Sequence, residues 1–417
     1  MDVKVWRYLL LRRVLESKVI VHAALLGFLA RGFAQALFKR RGKAISDLSQ
    51  VHRTTRLPCM RRLVEPYITA NLDATYTRPV LRQNENISRL FGRWLAVLKE
   101  PRPDGERGVL LVMFSEMLSL LYAAMDMGRL LHDHTLVIEP SYPGLCDEDL
   151  LRYTQFDDDI FVMAKHSDDF AFCQRLGSNL IPVDIGPCDW VDPRVAEPFL
   201  SNAKEFDILM NSNWAGLKRH HVLFRMLRHA KQRYGVALIG GPMGGRSRSD
   251  IEELAQYYGV RDQLTIFEHM PYHQVMDITC KSRVSLLLSL KEGGNRTTTE
   301  SMFCNVPVIV LSNHVGGTVK NVVQETGLLV PERELESAVQ RLIHGSLNPR
   351  RWAIEHISCF KSTDKLNRVL QERALQQGMP WTQGLAVRAS SPEVKYAYES
   401  DFQRLAPWNH SLGRYLK

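Results

Sequence analysis

The sequence lacks any Cys-x-x-Cys pair and any cysteine–histidine cluster. Its seven cysteines, Cys59, Cys146, Cys173, Cys188, Cys280, Cys304 and Cys359, are scattered. That excludes a zinc-finger type of site and a disulfide-framed fold, and reads as the reduced thiols of a cytosolic protein. Glycine and proline stand at ordinary levels, 26 and 19 of 417 residues, which excludes collagen-like or low-complexity bulk. No internal repeat is evident. Acidic residues are nearly missing from the first 62 positions, where Asp2, Glu16 and Asp47 face 14 Lys+Arg, a balance of +11. The whole chain carries +9, so the remainder is close to neutral at 9 − 11 = −2. The basic character is therefore local. No aromatic-interleaved basic motif accompanies it, and nucleic acid is not the expected partner.

The basic segment contains "VIVHAALLGFLARGFAQALF", 19–38, which has the length of a membrane span but holds His22 and Arg31. Basic residues flank both ends, so no orientation follows. A signal peptide fits poorly, because the leading basic stretch is long and Arg31 sits within the apolar run. Two readings stand: a basic, apolar helix on an anionic membrane surface, or an ordinary helix packed on the following domain. Asn86, Asn295 and Asn409 begin N-glycosylation sequons. The second lies in the phosphate-type loop described below, which favours a compartment without N-glycosylation.

A chain of 417 residues exceeds one ordinary core, so two domains are expected. Residues 1–105 read as mostly helical, ending at the breaker "EPRPDGERG". Short apolar strands then alternate with helices, first over 106–198 and again over 199–385. This pattern predicts α/β architecture: two doubly wound, Rossmann-like parallel sheets facing across a cleft, with a helical basic N-terminal extension. The Pro- and acid-rich "PCDWVDPRVAEPF", 187–199, reads as the linker. Residues 386–417 read as a helix and aromatic tail that returns to the N-terminal domain.

Four features of the second half each follow a predicted strand. "NSNWAGLK" ends in Lys218; "LIGGPMGG" offers Gly240, Gly241, Gly244 and Gly245; "FEHMPYHQ" holds His269, Met270 and Pro271; and "KEGGNRTTTESMFCNVPVIVL" starts at Lys291. In the last, the strand 284–290 leads into Gly293-Gly294, and Asn295 is a good cap for a helix start. Free N–H groups and a helix dipole there favour phosphate. A lysine beside them completes a diphosphate site. Glu292 and Glu300 stand eight positions apart, and each carboxylate can accept two hydroxyl bonds from a vicinal diol. A nucleotide-sugar supplies two such diols with a diphosphate between them.

"EGGNRTTTE" resembles the E-x7-E motif of retaining glycosyltransferases of the GT-B fold, glycosyltransferase family 4 (group 1). "NSNWAGLK", "LTIFEHMPYHQVMDI", "VPVIVLSNHVGG" and "TGLLVP" fall where that family has its equivalents, and the resemblance covers roughly 200–345. It implies metal-free sugar transfer with retention from a nucleotide-diphosphate-sugar, with no cofactor. It also implies that Glu292 holds donor-sugar hydroxyls and Glu300 the ribose diol, and that Lys218 neutralises the diphosphate. Gly293, Gly294 and the Asn295 N–H would contact sugar and phosphate, with Gly241 and Met270 beside the nucleotide.

The family's usual arginine, five or six residues before the lysine, is here Asn213 or Ser212. Asn213 is kept among the donor-binding residues, and Arg296 at the helix start is expected to supply the missing charge; a solvated surface arginine is the alternative. On the acceptor side Glu139 and Tyr142, after the strand 135–140, are the candidates, with His166 behind them. Ser115 and Glu116 replace the family's glycine-rich loop. The basic N-terminus suggests a glycan or lipid-linked acceptor, as in cell-envelope polysaccharide or glycolipid synthesis, and a cytoplasmic enzyme peripheral at the inner membrane face. A degenerate, non-enzymatic binding module and a nucleotide-sugar epimerase of the same fold are the other readings.

Overall fold

The computed structural model describes residues 3–75, 94–390 and 395–417. The Asn86 sequon lies outside the described residues. Two compact units emerge. The six-stranded unit comprises Met1–Glu16, Cys188–Ser362 and Ser390–Glu393; the five-stranded unit comprises Ser17–Pro187, Thr363–Ala389 and Val394–Lys417.

Helix α1 (Val3–Leu15) belongs to the six-stranded unit, not to the half that follows it in sequence. Val5 joins that unit's core, with Tyr8 and Leu9 packed against it. In the five-stranded unit come α2 (Lys18–Leu37), α3 (Arg41–Thr54) and α4 (Pro58–Thr69). Then follow β1 (Leu95–Lys99), β2 (Gly108–Met113), α5 (Glu116–Ala124), α6 (Met127–Asp133) and β3 (His134–Glu139). Next are α7 (Glu148–Leu151), β4 (Ile160–Met163), α8 (Ser167–Leu176) and β5 (Leu180–Val183). The strands lie in the order β1-β2-β3-β4-β5, parallel except for β1, which runs antiparallel to β2.

The parallel strands are buried on both faces, which explains why "GVLLVM" reads as an unbroken apolar run. β1 is the departure from the helical reading of 1–105. "LAVLK" is a five-residue apolar run rich in good helix formers, and only its pairing with Leu110–Val112 makes it a strand. The C-terminal helix of this unit, Glu399–Ser411, packs on β1. There the Asn409 Oδ1 accepts from the Val97 N–H at 3.1 Å and its Nδ2 donates to the Tyr396 hydroxyl at 2.9 Å.

α2 is long and apolar enough to cross a membrane, yet it lies along α3. Gly32 allows this approach, since a Cβ there would come within 2.6 Å of Leu48. Arg31 makes a two-pronged bond to Asp47, 2.7 and 2.5 Å. Val19, Ile20, Leu26, Leu37 and Phe38 remain exposed.

The six-stranded unit continues with β6 (Phe206–Asn211), α9 (His220–His229), β7 (Val236–Gly240), α10 (Arg248–Tyr258), β8 (Leu264–Glu268) and α11 (Tyr272–Cys280). β9 (Ser282–Leu287), α12 (Arg296–Phe303), β10 (Val308–Leu311), β11 (Gly327–Val330), α13 (Leu335–Ile343) and α14 (Pro349–His356) complete it. All its strand pairs are parallel, in the order β11-β10-β9-β6-β7-β8.

The segment read as a linker holds the point where the chain passes from one unit to the other, between Pro187 and Cys188, and the rest of it is built into the six-stranded unit. Two short 3₁₀ turns span Pro187–Trp190 and Pro193–Phe199, and Trp190, Val191 and Ala196 are fully buried. Its lack of apolar period reflects 3₁₀ geometry, not a tether. The thiols are not all separate either. Cys280 at the end of α11 and Cys304 just past α12 form a disulfide, with Cα atoms 4.7 Å apart. They stand 24 positions apart in sequence, so only the packing of α11 against α12 brings them together.

Candidate functional site

β6 and β9 lie side by side, but the chain leaves them in opposite directions, through β7 and β8 on one side and β10 and β11 on the other. Such a switch point opens a crevice at the carboxyl ends of the strands, where ligands bind. Lys218 stands in the loop after β6 and Glu292 in the loop after β9. Lys218 Nζ donates to Glu292 Oε1 at 2.6 Å, and Asn295 Nδ2 donates to Glu292 Oε2 at 2.9 Å. Both partners of the ion pair are largely buried. Burial pushes the Glu292 carboxyl upward, but the Lys218 ammonium and these hydrogen bonds outweigh it and hold the group below its usual range.

Asn295 caps α12 as its residue type suggests: its Oδ1 accepts from the Thr298 N–H at 3.0 Å. The Asn295 N–H itself donates to Thr318 Oγ1 at 2.9 Å, so it faces the protein and not a ligand in this state. Gly293 and Gly294 are half-buried, and the Gly293 carbonyl accepts from the Gly317 N–H at 3.0 Å. The segment 314–318 thus braces the loop. The Glu292 N–H donates to the Val315 carbonyl at 3.1 Å, and a Cβ on Gly316 would sit 1.8 Å from the Glu292 carbonyl oxygen. Gly316 stands within "VPVIVLSNHVGG" but was given no role of its own, and Thr318, a neutral residue just past it, carries no local signal.

Glu300, one helical face along α12, is almost wholly buried. It accepts from the Tyr272 hydroxyl at 2.8 Å and from Arg296 Nε at 2.9 Å. The Arg296 guanidinium also lies 5.6 Å from the Tyr272 ring centre. Burial, and then the Glu300 charge, push the Tyr272 phenol far above its ordinary range, keeping it a donor. Tyr272 was quoted within "FEHMPYHQ" but not singled out. A hydroxyl that satisfies a buried carboxylate has no local sequence signal.

After β6 the chain folds back on itself. Asn213 Oδ1 accepts from the Ala215 N–H at 3.2 Å, and the Trp214 indole donates to Glu268 Oε1 at 2.6 Å. The Trp214 N–H donates to the Gly241 carbonyl at 2.9 Å. Gly240 is required here, since a Cβ would meet the Trp214 ring at 2.6 Å, whereas one on Gly241 would meet open space. Gly244 and Gly245 take positive φ in a tight turn closed by Met243 and Arg246. Met270 is half-buried against the cluster of Leu209, Ala237, Ile239 and Ile278.

Arg219 follows Lys218 with a left-handed φ of 61°. Its buried guanidinium bonds Glu16 and Glu332, each at 2.9 Å, and the Leu288 carbonyl at 3.2 Å. His220 is buried beneath Trp214, and burial, aided by Arg246, His221 and Lys218, pushes its pKa down to about 3.

In the five-stranded unit Glu139 ends β3 with its side chain buried, and Tyr142 is exposed. Ser115 and Ser141 exchange bonds, each hydroxyl accepting the other's N–H at 3.0 and 3.2 Å. His166 lies 3.6 Å from Asp169, whose carboxylate pins the loop through the Gly144 and Leu145 N–H groups. Among the described residues, no group of three or more His, Cys, Asp or Glu side chains is arranged to hold a metal ion.

The six-stranded unit, with its ion pair at the switch point, and the five-stranded α/β unit define a GT-B-fold protein. Residues 193–355 match the family "Glycosyl transferases group 1". No curated protein matches the chain. Among solved structures, Anabaena HepE in complex with UDP aligns with a TM-score of 0.50 at 12% identity, over 63% of this chain and 78% of that one. The sucrose-phosphate synthase of Thermosynechococcus elongatus aligns with a TM-score of 0.48 at 17% identity, over 78% and 81%. The pneumococcal O-GlcNAc transferase GtfA, in complex with UDP and GlcNAc, aligns with a TM-score of 0.43 at 16% identity, over 59% of this chain and 54% of that one.

Proposed function

We propose that this glycosyltransferase moves a sugar, with retention, from a nucleotide-diphosphate-sugar to a hydroxyl of a glycan or lipid-linked acceptor, without a metal. The observation that carries this is the Lys218–Glu292 pair, which joins the loops after β6 and β9 beside the capped start of α12. A diphosphate at that point would draw Lys218 toward it and free Glu292 Oε1 to accept a donor-sugar hydroxyl. Glu300, already oriented by Tyr272, is the acceptor for a ribose diol. In the reaction the bond between the anomeric carbon and the diphosphate oxygen breaks. The acceptor oxygen bonds that carbon on the same face, and the acceptor proton passes to the departing phosphate. Lys218 and the α12 dipole stabilise the charge that develops. Glu139, at the end of β3, is the proposed acceptor-side carboxylate.

We place the enzyme on the cytoplasmic side of a membrane. Two features support this: the exposed apolar side chains of α2, and the basic residues Lys18, Lys39, Arg40, Arg41 and Lys43 at its ends. The amides of Asn295 and Asn409 are consumed by the fold, which fits a compartment without N-glycosylation.

The test is a thermal-shift titration of the full chain with nucleoside diphosphates and their sugars, with EDTA present; UDP heads the panel because the HepE structure holds it. A selective rise in Tm with one of them supports the reading by mass action. No rise with any, from a folded sample, would favour a degenerate binding module, the reading to which the missing arginine at 212 and 213 points.

A further inference from the structure

A nucleotide-sugar brings a doubly charged diphosphate to the crevice, and three cations of the surrounding loops are already paired with carboxylates. Lys218 faces Glu292, Arg219 faces Glu16 and Glu332, and Arg296 faces Glu300. Positions 212 and 213 hold Ser and Asn. Two further guanidinium groups of the same unit lie close to the loop that carries Lys218. Arg12, on α1, lies against the backbone of Gly216, two residues before Lys218. A Cβ at Gly216 would be 3.2 Å from the Arg12 Cζ and 3.3 Å from its Nε. Arg246, at the close of the Gly244-Gly245 turn after β7, lies with its Cζ 3.8 Å from the Tyr8 ring centre, and the same Cβ at Gly216 would be 3.3 Å from the Tyr8 ring. Among the described residues neither arginine makes an ion pair, and the Nε of each is buried without a hydrogen-bond partner.

α1 is fixed in place by three separate attachments. Lys4 bonds Asp250 at 2.8 Å and Glu253 at 3.0 Å, Val5 enters the core, and Glu16, one residue beyond the helix, bonds Arg219. A buried donor without a partner and a cation without a counter-charge both cost free energy unless an anion completes them. Arg12 thus stands against the backbone two residues before Lys218, and Arg246 and Lys218 both act electrostatically on the buried His220.

We propose that Arg12, carried on α1, together with Arg246, binds the diphosphate of the donor beside Lys218, supplying the charge that positions 212 and 213 lack. Arg296 is thereby left to orient Glu300. This rests on the donor reading given above, and it assigns to the N-terminal helix a direct part in donor binding.

The experiment is calorimetric titration of the full chain with UDP, with inorganic pyrophosphate and with uridine, at two salt concentrations, for the wild type, Arg12→Ala, Arg12→Lys and Arg246→Ala. The expected result is a loss of UDP and pyrophosphate affinity of about 10- to 100-fold in each alanine variant, the range of a hydrogen bond to a charged group. Arg12→Lys should recover part of it, uridine binding should not change, and the salt dependence should flatten. The Tm of Arg12→Ala without ligand should stay at or above the wild-type value, because an uncompensated cation is removed, whereas Arg246→Ala also loses a bond to the Asp250 carbonyl and the contact with the Tyr8 ring and should lose some Tm; merely structural arginines would leave pyrophosphate affinity intact. UDP and pyrophosphate affinities within twofold of wild type in both alanine variants would overturn the inference alone. A folded wild type that binds neither UDP nor pyrophosphate would overturn it together with the donor reading.

Discussion

Lys218 Nζ and Glu292 Oε1 lie 2.6 Å apart, joining two loops that are 74 residues apart in sequence. This buried pair is both a structural tie and the centre of the candidate site. Removing one partner leaves the other charge uncompensated, which costs about 3–5 kcal/mol. Lys218→Ala should therefore lower Tm and also cut kcat/KM by roughly 10²- to 10³-fold, the range for losing one charge-stabilising group. Glu292→Gln keeps the shape, so it should lose activity with a smaller Tm change. Equal Tm losses with full activity in both variants would show a structural tie only.

Tyr272→Phe removes the hydroxyl that satisfies Glu300. The buried carboxylate then relies on Arg296, at a cost of about 1–3 kcal/mol. Chemical denaturation should show that loss, and donor affinity should fall while kcat changes less. Unchanged affinity would separate Glu300 from the donor site.

Gly316→Ala introduces a methyl group 1.8 Å from the Glu292 carbonyl oxygen. The obstacle is backbone, so the loop after β9 must shift. Misplacing a reacting group by about 1 Å can cost 10²-fold in rate. Activity should collapse in this variant even though no charged or polar side chain is altered. Wild-type turnover would mean that the loop position is not critical.

Buried histidines, His220 and His134 among them, make the fold sensitive to acid. Burial holds His220 down to about 3 and His134 down to about 4. Both are neutral when folded and regain an ordinary value of about 6.5 when unfolded, so the unfolded chain binds more protons below that pH. The stability they contribute is full above about pH 6.5 and is lost as pH falls toward the folded values, by up to about 1.4 kcal/mol per pH unit for each histidine. Tm should decline between pH 6.5 and 5, and His220→Gln should reduce that slope. A flat Tm over this range would contradict the assignment.

α2 offers a separate test of membrane binding. Leu26→Glu and Val19→Glu place charge on its exposed apolar surface, away from the Leu48 and Asp47 contacts. Both should abolish co-sedimentation with phosphatidylserine vesicles and leave Tm within about 1 °C, as surface substitutions cost little. Unchanged co-sedimentation would remove α2 from membrane contact.

The central parallel strands were legible because strands buried on both faces read as short apolar runs between helices; "GVLLVM" and "VSLLLSL" are examples. The cap at Asn295 was legible because capping is local. β1 was not, since "LAVLK" suits either a helix or a strand until β2 pairs with it. Nor was the fate of the basic segment, where α1 joined the six-stranded unit and α2 the other. The sequence alone determined the strand–helix alternation from β2 to α13, the α12 start and the residue types for an anion and two diols, because these depend on neighbours within a few positions. Only the tertiary structure decided that Lys218 meets Glu292, that Tyr272 meets Glu300, that Cys280 meets Cys304 and that Arg12 lies against Gly216. Each of these contacts joins distant segments through sheet order and helix packing, which no local pattern records.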